Sequence, residues 1–149
     1  MHPIPPFLLN RCCWQHTGTC LEFFGMSLLM KLHLNQNLNQ NRFTAYSETS
    51  VSINKQEYTP PLLVSAERLE TWQVADFAAL QASDFEALLA WEPEVVLLGT
   101  GTGQKFPHPR LTAALLAAGV GVEVMTTQAA CRTFNILADE DRRVVAALF

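Results

Sequence analysis

The sequence predicts an α/β layered domain with a mixed sheet: a small antiparallel meander, followed by alternating strands and helices in the order βαβαβ. Two observations carry this expectation. Val95-Val96-Leu97-Leu98 is an unbroken apolar run bounded by Pro93 and Gly99, the pattern of a strand buried on both faces in a parallel sheet. From Ser83 onward, helix-spaced and strand-spaced apolar patterns alternate, as layered α/β domains require. At 149 residues the chain matches one domain with room for a real core.

The N-terminal part is patterned differently. Residues 1–29 hold three of the four cysteines, with no sustained period. Pro3, Pro5 and Pro6 stand where a secretory signal would carry basic residues, and no long apolar stretch follows. These residues are read as an extension, set aside by start-site choice at Met26 or Met30, with the domain spanning 30–149. A metal or disulfide cluster of Cys12, Cys13, Cys20 and His16 is the alternative. The Cys-x₂₋₄-Cys spacing of zinc sites is missing there, so no metal or other cofactor is expected.

Along the domain, Leu32 and Leu34 alternate with polar neighbours as in a half-buried strand, and Asn35 to Asn41 reads as a loop. Phe43 to Tyr46, Val51 to Ile53 and Glu57-Tyr58 read as short strands, with a turn at Asn54-Lys55 and a break at Pro60-Pro61. Leu62 to Val64 and Leu69 to Val74 complete the meander. Ser83 and Glu86 match a capping box; Phe85, Leu88 and Leu89 then form one apolar face, and Pro93 ends the helix. Pro109 opens a second helix that Gly119 closes. Val120 to Met125 is a strand, and Thr126 or Thr127 caps a third helix running to about Ala138. Asp139-Glu140-Asp141 turns the chain into a final strand, Arg142 to Phe149.

Composition narrows the function classes. A net charge of −4 opposes the clustered Lys and Arg of a nucleic-acid footprint. Hydrophobic content is 49%, but no apolar run reaches the roughly 18 residues of a membrane span. A lone Cys131 in the domain gives no disulfide framework and suits a reducing cytoplasm.

Two segments stand where an α/β sheet places its ligands, at the carboxyl ends of strands. The first is Gly99-Thr100-Gly101-Thr102-Gly103-Gln104-Lys105-Phe106-Pro107. Gln104 occupies the position where both the dinucleotide fingerprint and the P-loop require glycine, so neither motif is met. The second is Thr126 to Asn135. Cys131 lies early in its helix beside Arg132, which suits a lowered thiol pKa, and Asn135 shares its face. Against a reactive thiol stands the tendency of free cysteine to be buried, with His108 the only available base. On that reading Arg132 ties down the glycine loop, its forked donors meeting exposed carbonyls.

The motifs Pro93 to Gly101, Gly121-Val122-Glu123-Val124-Met125 and Ala130-Cys131-Arg132-Thr133-Phe134-Asn135-Ile136-Leu137 resemble a family of small α/β domains of largely unassigned function. That family includes the mitochondrial NADH:ubiquinone oxidoreductase (complex I) assembly factor 3 and short bacterial and archaeal proteins. The resemblance covers about Met30 to Phe149 and implies a three-layer β+α/β/α fold whose central mixed sheet ends in an antiparallel strand, Arg142–Phe149. It implies no catalytic residues and a shared pocket lined by Gly99, Gly101, Gln104, Phe106, Pro107, Arg132 and Asn135. With Thr100, Thr126 and Cys131 these make up the candidate pocket. Members often carry Asp or Gly where this chain has Thr126-Thr127-Gln128. The expected function is a non-enzymatic binding or assembly role toward another protein, through the loop pocket or a sheet edge, with homo-oligomerisation left open. The alternative is a small-molecule enzyme using Cys131 or the Gly99–Gly103 loop.

Overall fold

The computed structural model describes residues 39–149. The predicted strand around Leu32 and Leu34, the Cys12, Cys13, Cys20 and His16 group and the 29/30 boundary lie outside the described residues. Strands β1 (Phe43–Tyr46), β2 (Val51–Ile53) and β3 (Gln56–Tyr58) form one antiparallel sheet. Asn54 and Lys55 close the β2–β3 hairpin with φ of 51° and 71°, the two left-handed residues that match the twist of a two-residue turn. Strands β4 (Leu62–Ser65), β5 (Leu69–Thr71), β6 (Val95–Gly99), β7 (Gly121–Met125) and β8 (Val144–Leu148) form a second sheet in the order β5-β4-β8-β6-β7. Three helices complete the unit: α1 (Ala82–Leu88), α2 (Pro109–Ala117) and α3 (Thr127–Asp139).

The side-chain period of two sorts the central strands onto two cores. Leu62, Val64, Leu97, Val144, Ala146 and Leu148 face one side, where Cys131 and Phe134 of α3 and Phe43, Val51 and Ile53 of the small sheet cover them. Leu63, Val96, Leu98, Val145 and Ala147 face the other, beneath Phe85 and Leu88 of α1 and Leu115 of α2. The fold is therefore α/β, layered as small sheet plus helix, mixed sheet, and helices. Trp72 and Val74 pack in the second core beyond the end of β5, on one face as their spacing predicts.

Three local expectations change. The meander divides: β1–β3 stand apart, while the β4–β5 hairpin joins the main sheet. Pro60 and Pro61 interrupt the chain after β3, and a residue without an N–H cannot extend a ladder. Leu62, Leu63 and Val64 are all buried, so β4 belongs between β5 and β8 rather than on a one-sided sheet. The closing strand is antiparallel to β4 but parallel to β6, and it lies inside the sheet rather than at its end. The α3 crossover from β7 returns the chain in the same direction, as a βαβ unit does. Finally, the cap of α1 is Gln81, two residues before the predicted Ser83. The Gln81 N–H donates to Asp84 Oδ2 at 2.8 Å, so Gln81 and Asp84 make the reciprocal contact expected of Ser83 and Glu86.

Candidate functional site

The glycine loop leaves β6 at the carboxyl edge of the sheet, beside the N-terminus of α3. Two glycines are required there. A Cβ on Gly99 would lie 2.7 Å from Leu148 Cδ2 and 3.0 Å from Thr127 Cα, and Gly101 has φ of 87°. Thr127 ties the segments together. Its Oγ1 accepts from the Gly101 N–H at 2.9 Å and donates to the Phe149 carbonyl at 2.8 Å. Its own N–H donates to the Gly101 carbonyl at 2.9 Å. Thr100 folds the rest of the loop: its hydroxyl donates to the Gly103 carbonyl at 2.8 Å and accepts from the Lys105 N–H at 3.0 Å. Gln104 Nε2 donates to the Val124 carbonyl at 2.8 Å. Beyond these anchors Phe106 is 73% exposed. His108 and Pro109 begin α2, with His108 Nδ1 accepting from the Arg110 N–H at 3.2 Å.

Arg132 does not hold this loop. Its Nε–H donates to the Tyr46 hydroxyl, and its guanidinium carbon sits 5.1 Å from the Tyr46 ring centroid. Asn135, one turn on, clasps the backbone of β1. Its Oδ1 accepts from the Phe43 N–H at 3.0 Å and its Nδ2 donates to the Phe43 carbonyl at 2.8 Å. A further turn on, Asp139 pairs with Arg42. Arg132, Asn135 and Asp139 are spaced i, i+3, i+7 and form one polar stripe along α3. That stripe fastens the small sheet, and an apolar stripe of Cys131, Phe134 and Ala138 seals the core beside it. Phe134 meets the Phe43 ring edge-on at 5.2 Å.

Cys131 is fully buried in that core. Burial pushes its thiol pKa from 9.0 up to about 12, with a backbone hydrogen bond opposing weakly. Removing a group from water disfavours its charged form, and here that effect outweighs the start of the helix. The folded state therefore holds the proton more tightly than the unfolded state. The thiol's contribution to stability is complete below pH 9 and is lost as pH rises toward 12. In the native protein at pH 8, Cys131 should resist alkylation and react only after denaturation, as read by peptide mapping. Fast stoichiometric labelling of the folded chain would contradict this.

The ten candidate pocket residues thus fall into two groups. Gly99, Thr100, Gly101, Gln104, Phe106, Pro107 and Thr126 gather along the carboxyl edge. Cys131, Arg132 and Asn135 run away from it along α3, toward β1. Thr126 accepts from the Ala129 N–H at 3.4 Å and caps α3. Tyr46 and Asp139 are functional partners beyond the ten, and Thr127 is an anchor of the loop as well as a residue of the helix start. The 3–4 spacing of Arg132, Asn135 and Asp139 was the available signal in the sequence. A cleft of about 540 Å³ opens at the opposite edge of the sheet, lined by residues that include Arg68, Trp91, Arg142 and Arg143, and by none of the ten.

Residues 43–149 match a family described as protein of unknown function (DUF498/DUF598). The chain belongs to this family. It is similar to a protein of Francisella tularensis named "13 kDa major membrane protein", with 33% identity over 104 residues, 68% of this chain and 85% of the relative. It is also similar to the mouse NADH dehydrogenase [ubiquinone] 1 alpha subcomplex assembly factor 3, with 31% identity over 106 residues, 70% of this chain and 57% of the relative. The alignments span 56–61% of the length of the assembly factors matched. Among solved structures, a Bordetella parapertussis protein superposes with a TM-score of 0.70 at 40% identity, over 74% of this chain and 95% of that one. Among the described residues no helix is long and apolar enough to cross a membrane.

Proposed function

We propose that this chain is a non-enzymatic binding domain of the assembly type, which holds another protein through the rim of its glycine loop and the adjoining sheet edge. The observation that carries this reading is Phe106, 73% exposed on a loop pinned from beneath by Thr100, Gln104 and Thr127. An exposed aromatic on a preorganised loop binds with little ordering cost. The assembly-factor relatives support the same class. The enzyme alternative through Cys131 is opposed by burial of the thiol and by the use of Asn135 and Arg132 to fasten β1. Its place of action is read as the cytoplasm, which suits Cys131 as the lone, unpaired cysteine among the described residues.

Phe106→Ser should leave the thermal midpoint unchanged while removing partner proteins cross-linked to the wild-type chain in its host. Equal recovery by both proteins would overturn the role given to the loop rim. We also take residues 30–149 as the working domain. This is supported by the family match beginning at residue 43. Deleting residues 1–29 should leave the thermal midpoint and the cross-linked set unchanged; a large fall in the midpoint would show the extension to be part of the fold.

A further inference from the structure

We infer that the outer edge of β7 is a strand-docking surface for an extended segment of another protein in which basic and apolar side chains alternate. The inference rests on the protein-binding reading above and names where and what that domain binds. The backbone register decides which groups face outward. The Met125 carbonyl accepts from Thr100 N–H at 2.9 Å and the Gly121 N–H donates to Glu94 at 3.1 Å, so odd-numbered residues of β7 face β6. N–H and C=O groups alternate sides along a strand, which turns those of Val122 and Val124 to the open side. The Gln104 bond to the Val124 carbonyl fits this assignment. β7 ends the sheet, with no strand beyond it among the described residues.

The edge is five residues long and contains neither proline nor lysine, the devices that commonly blunt free edges. Among the described residues Gln104 guards it, at its carboxyl end. Val122 and Val124 are half-buried on the α2 side, and Glu123 is exposed on the other. An added strand would therefore set apolar side chains beside the valines and one charge beside Glu123. A second copy of this chain fits poorly. Antiparallel self-pairing that uses both Val122 and Val124 places Glu123 opposite its own counterpart, and directly opposed like charges destabilise a strand pair. A basic side chain there is complementary. Main-chain bonds would supply affinity and the Glu123 contact specificity, as in strand addition generally.

The probe is a short end-blocked peptide alternating valine and lysine, with a valine–glutamate peptide as control. Added to the full chain, the lysine peptide should slow amide exchange at Val122 and Val124 by about tenfold or more, and the glutamate peptide should not. Val122→Pro should abolish the protection, because its N–H faces outward and its loss breaks no bond to β6. Glu123→Lys, which leaves every backbone group in place, should reverse the preference between the two peptides. Gln104→Ala frees the Val124 carbonyl and should tighten binding of the lysine peptide. Unchanged exchange at Val122 and Val124, or protection that survives Glu123→Lys without reversal, would overturn the assignment. So would a dimer in sedimentation velocity that Val122→Pro dissolves, since the edge would then belong to a second copy. Host partners captured equally by wild type and Val122→Pro would defeat the edge but keep the binding reading; loss of all partners from both would defeat the reading itself.

Discussion

Asn135→Leu should cost about 2–6 kcal/mol of folding stability, taking about 1–3 kcal/mol for each of the two backbone groups left unpaired. The substitution keeps the volume of the side chain but removes both contacts to Phe43, whose N–H and C=O lie in the part-buried seam between β1 and α3. Those two bonds treat the amide as a mimic of a neighbouring strand, so β1 loses the partner that fixes it over α3. Urea denaturation would read the loss as a lower midpoint, and the amides of β1 and β2 should exchange faster than those of β6. Asn135→Asp separates the two bonds. An ionised carboxylate still accepts from the Phe43 N–H but faces the Phe43 carbonyl without a proton to give. The deficit should therefore shrink as the pH falls and the carboxyl becomes protonated. A variant as stable as wild type at neutral pH would mean that β1 is held by its apolar contacts alone.

Thr127→Val should be the second large effect, about 1–3 kcal/mol for each lost partner with no change of shape. It strips the hydroxyl that joins the Gly101 N–H to the Phe149 carbonyl. Amide exchange at Gly101 should accelerate, and with it exchange along the loop as far as Lys105. Thr127→Ser should restore protection, because it keeps the hydroxyl. Arg132→Ala should leave the loop's exchange unchanged and cost little, because exposed pairings contribute at most about 1 kcal/mol. If Arg132→Ala loosened the loop and Thr127→Val did not, the anchor would have been assigned to the wrong residue.

These two residues show how the site became legible only in part. The apolar stripe of α3 and its cap were readable because the helix period places Cys131, Phe134 and Ala138 on one face whatever they meet. Arg132 was equally visible as a forked donor, but its partner was not. Tyr46 lies 86 residues away in the chain, and no local pattern says that the small sheet, not the glycine loop, would come within reach. The loop needed a donor and acceptor nearer its base, and Thr127 supplied both from the adjacent helix start.

The same division runs through the fold. Among the described residues the sequence by itself determined which segments are strands and which are helices, though not every boundary, because side-chain alternation, the Asn54-Lys55 turn, Pro109 and Gly119 act within a few residues of themselves. It also determined that β6 is covered on both faces, since Val95 to Leu98 offers no polar side chain to solvent; the matching burial of β8 came from the structure. Only the tertiary structure decided that the meander splits, that β8 runs parallel to β6, and that Asn135 serves β1. Pairing joins segments far apart in the chain, so its choice rests on which complete set of faces can be buried together. A free energy summed over both cores cannot be read from any single segment.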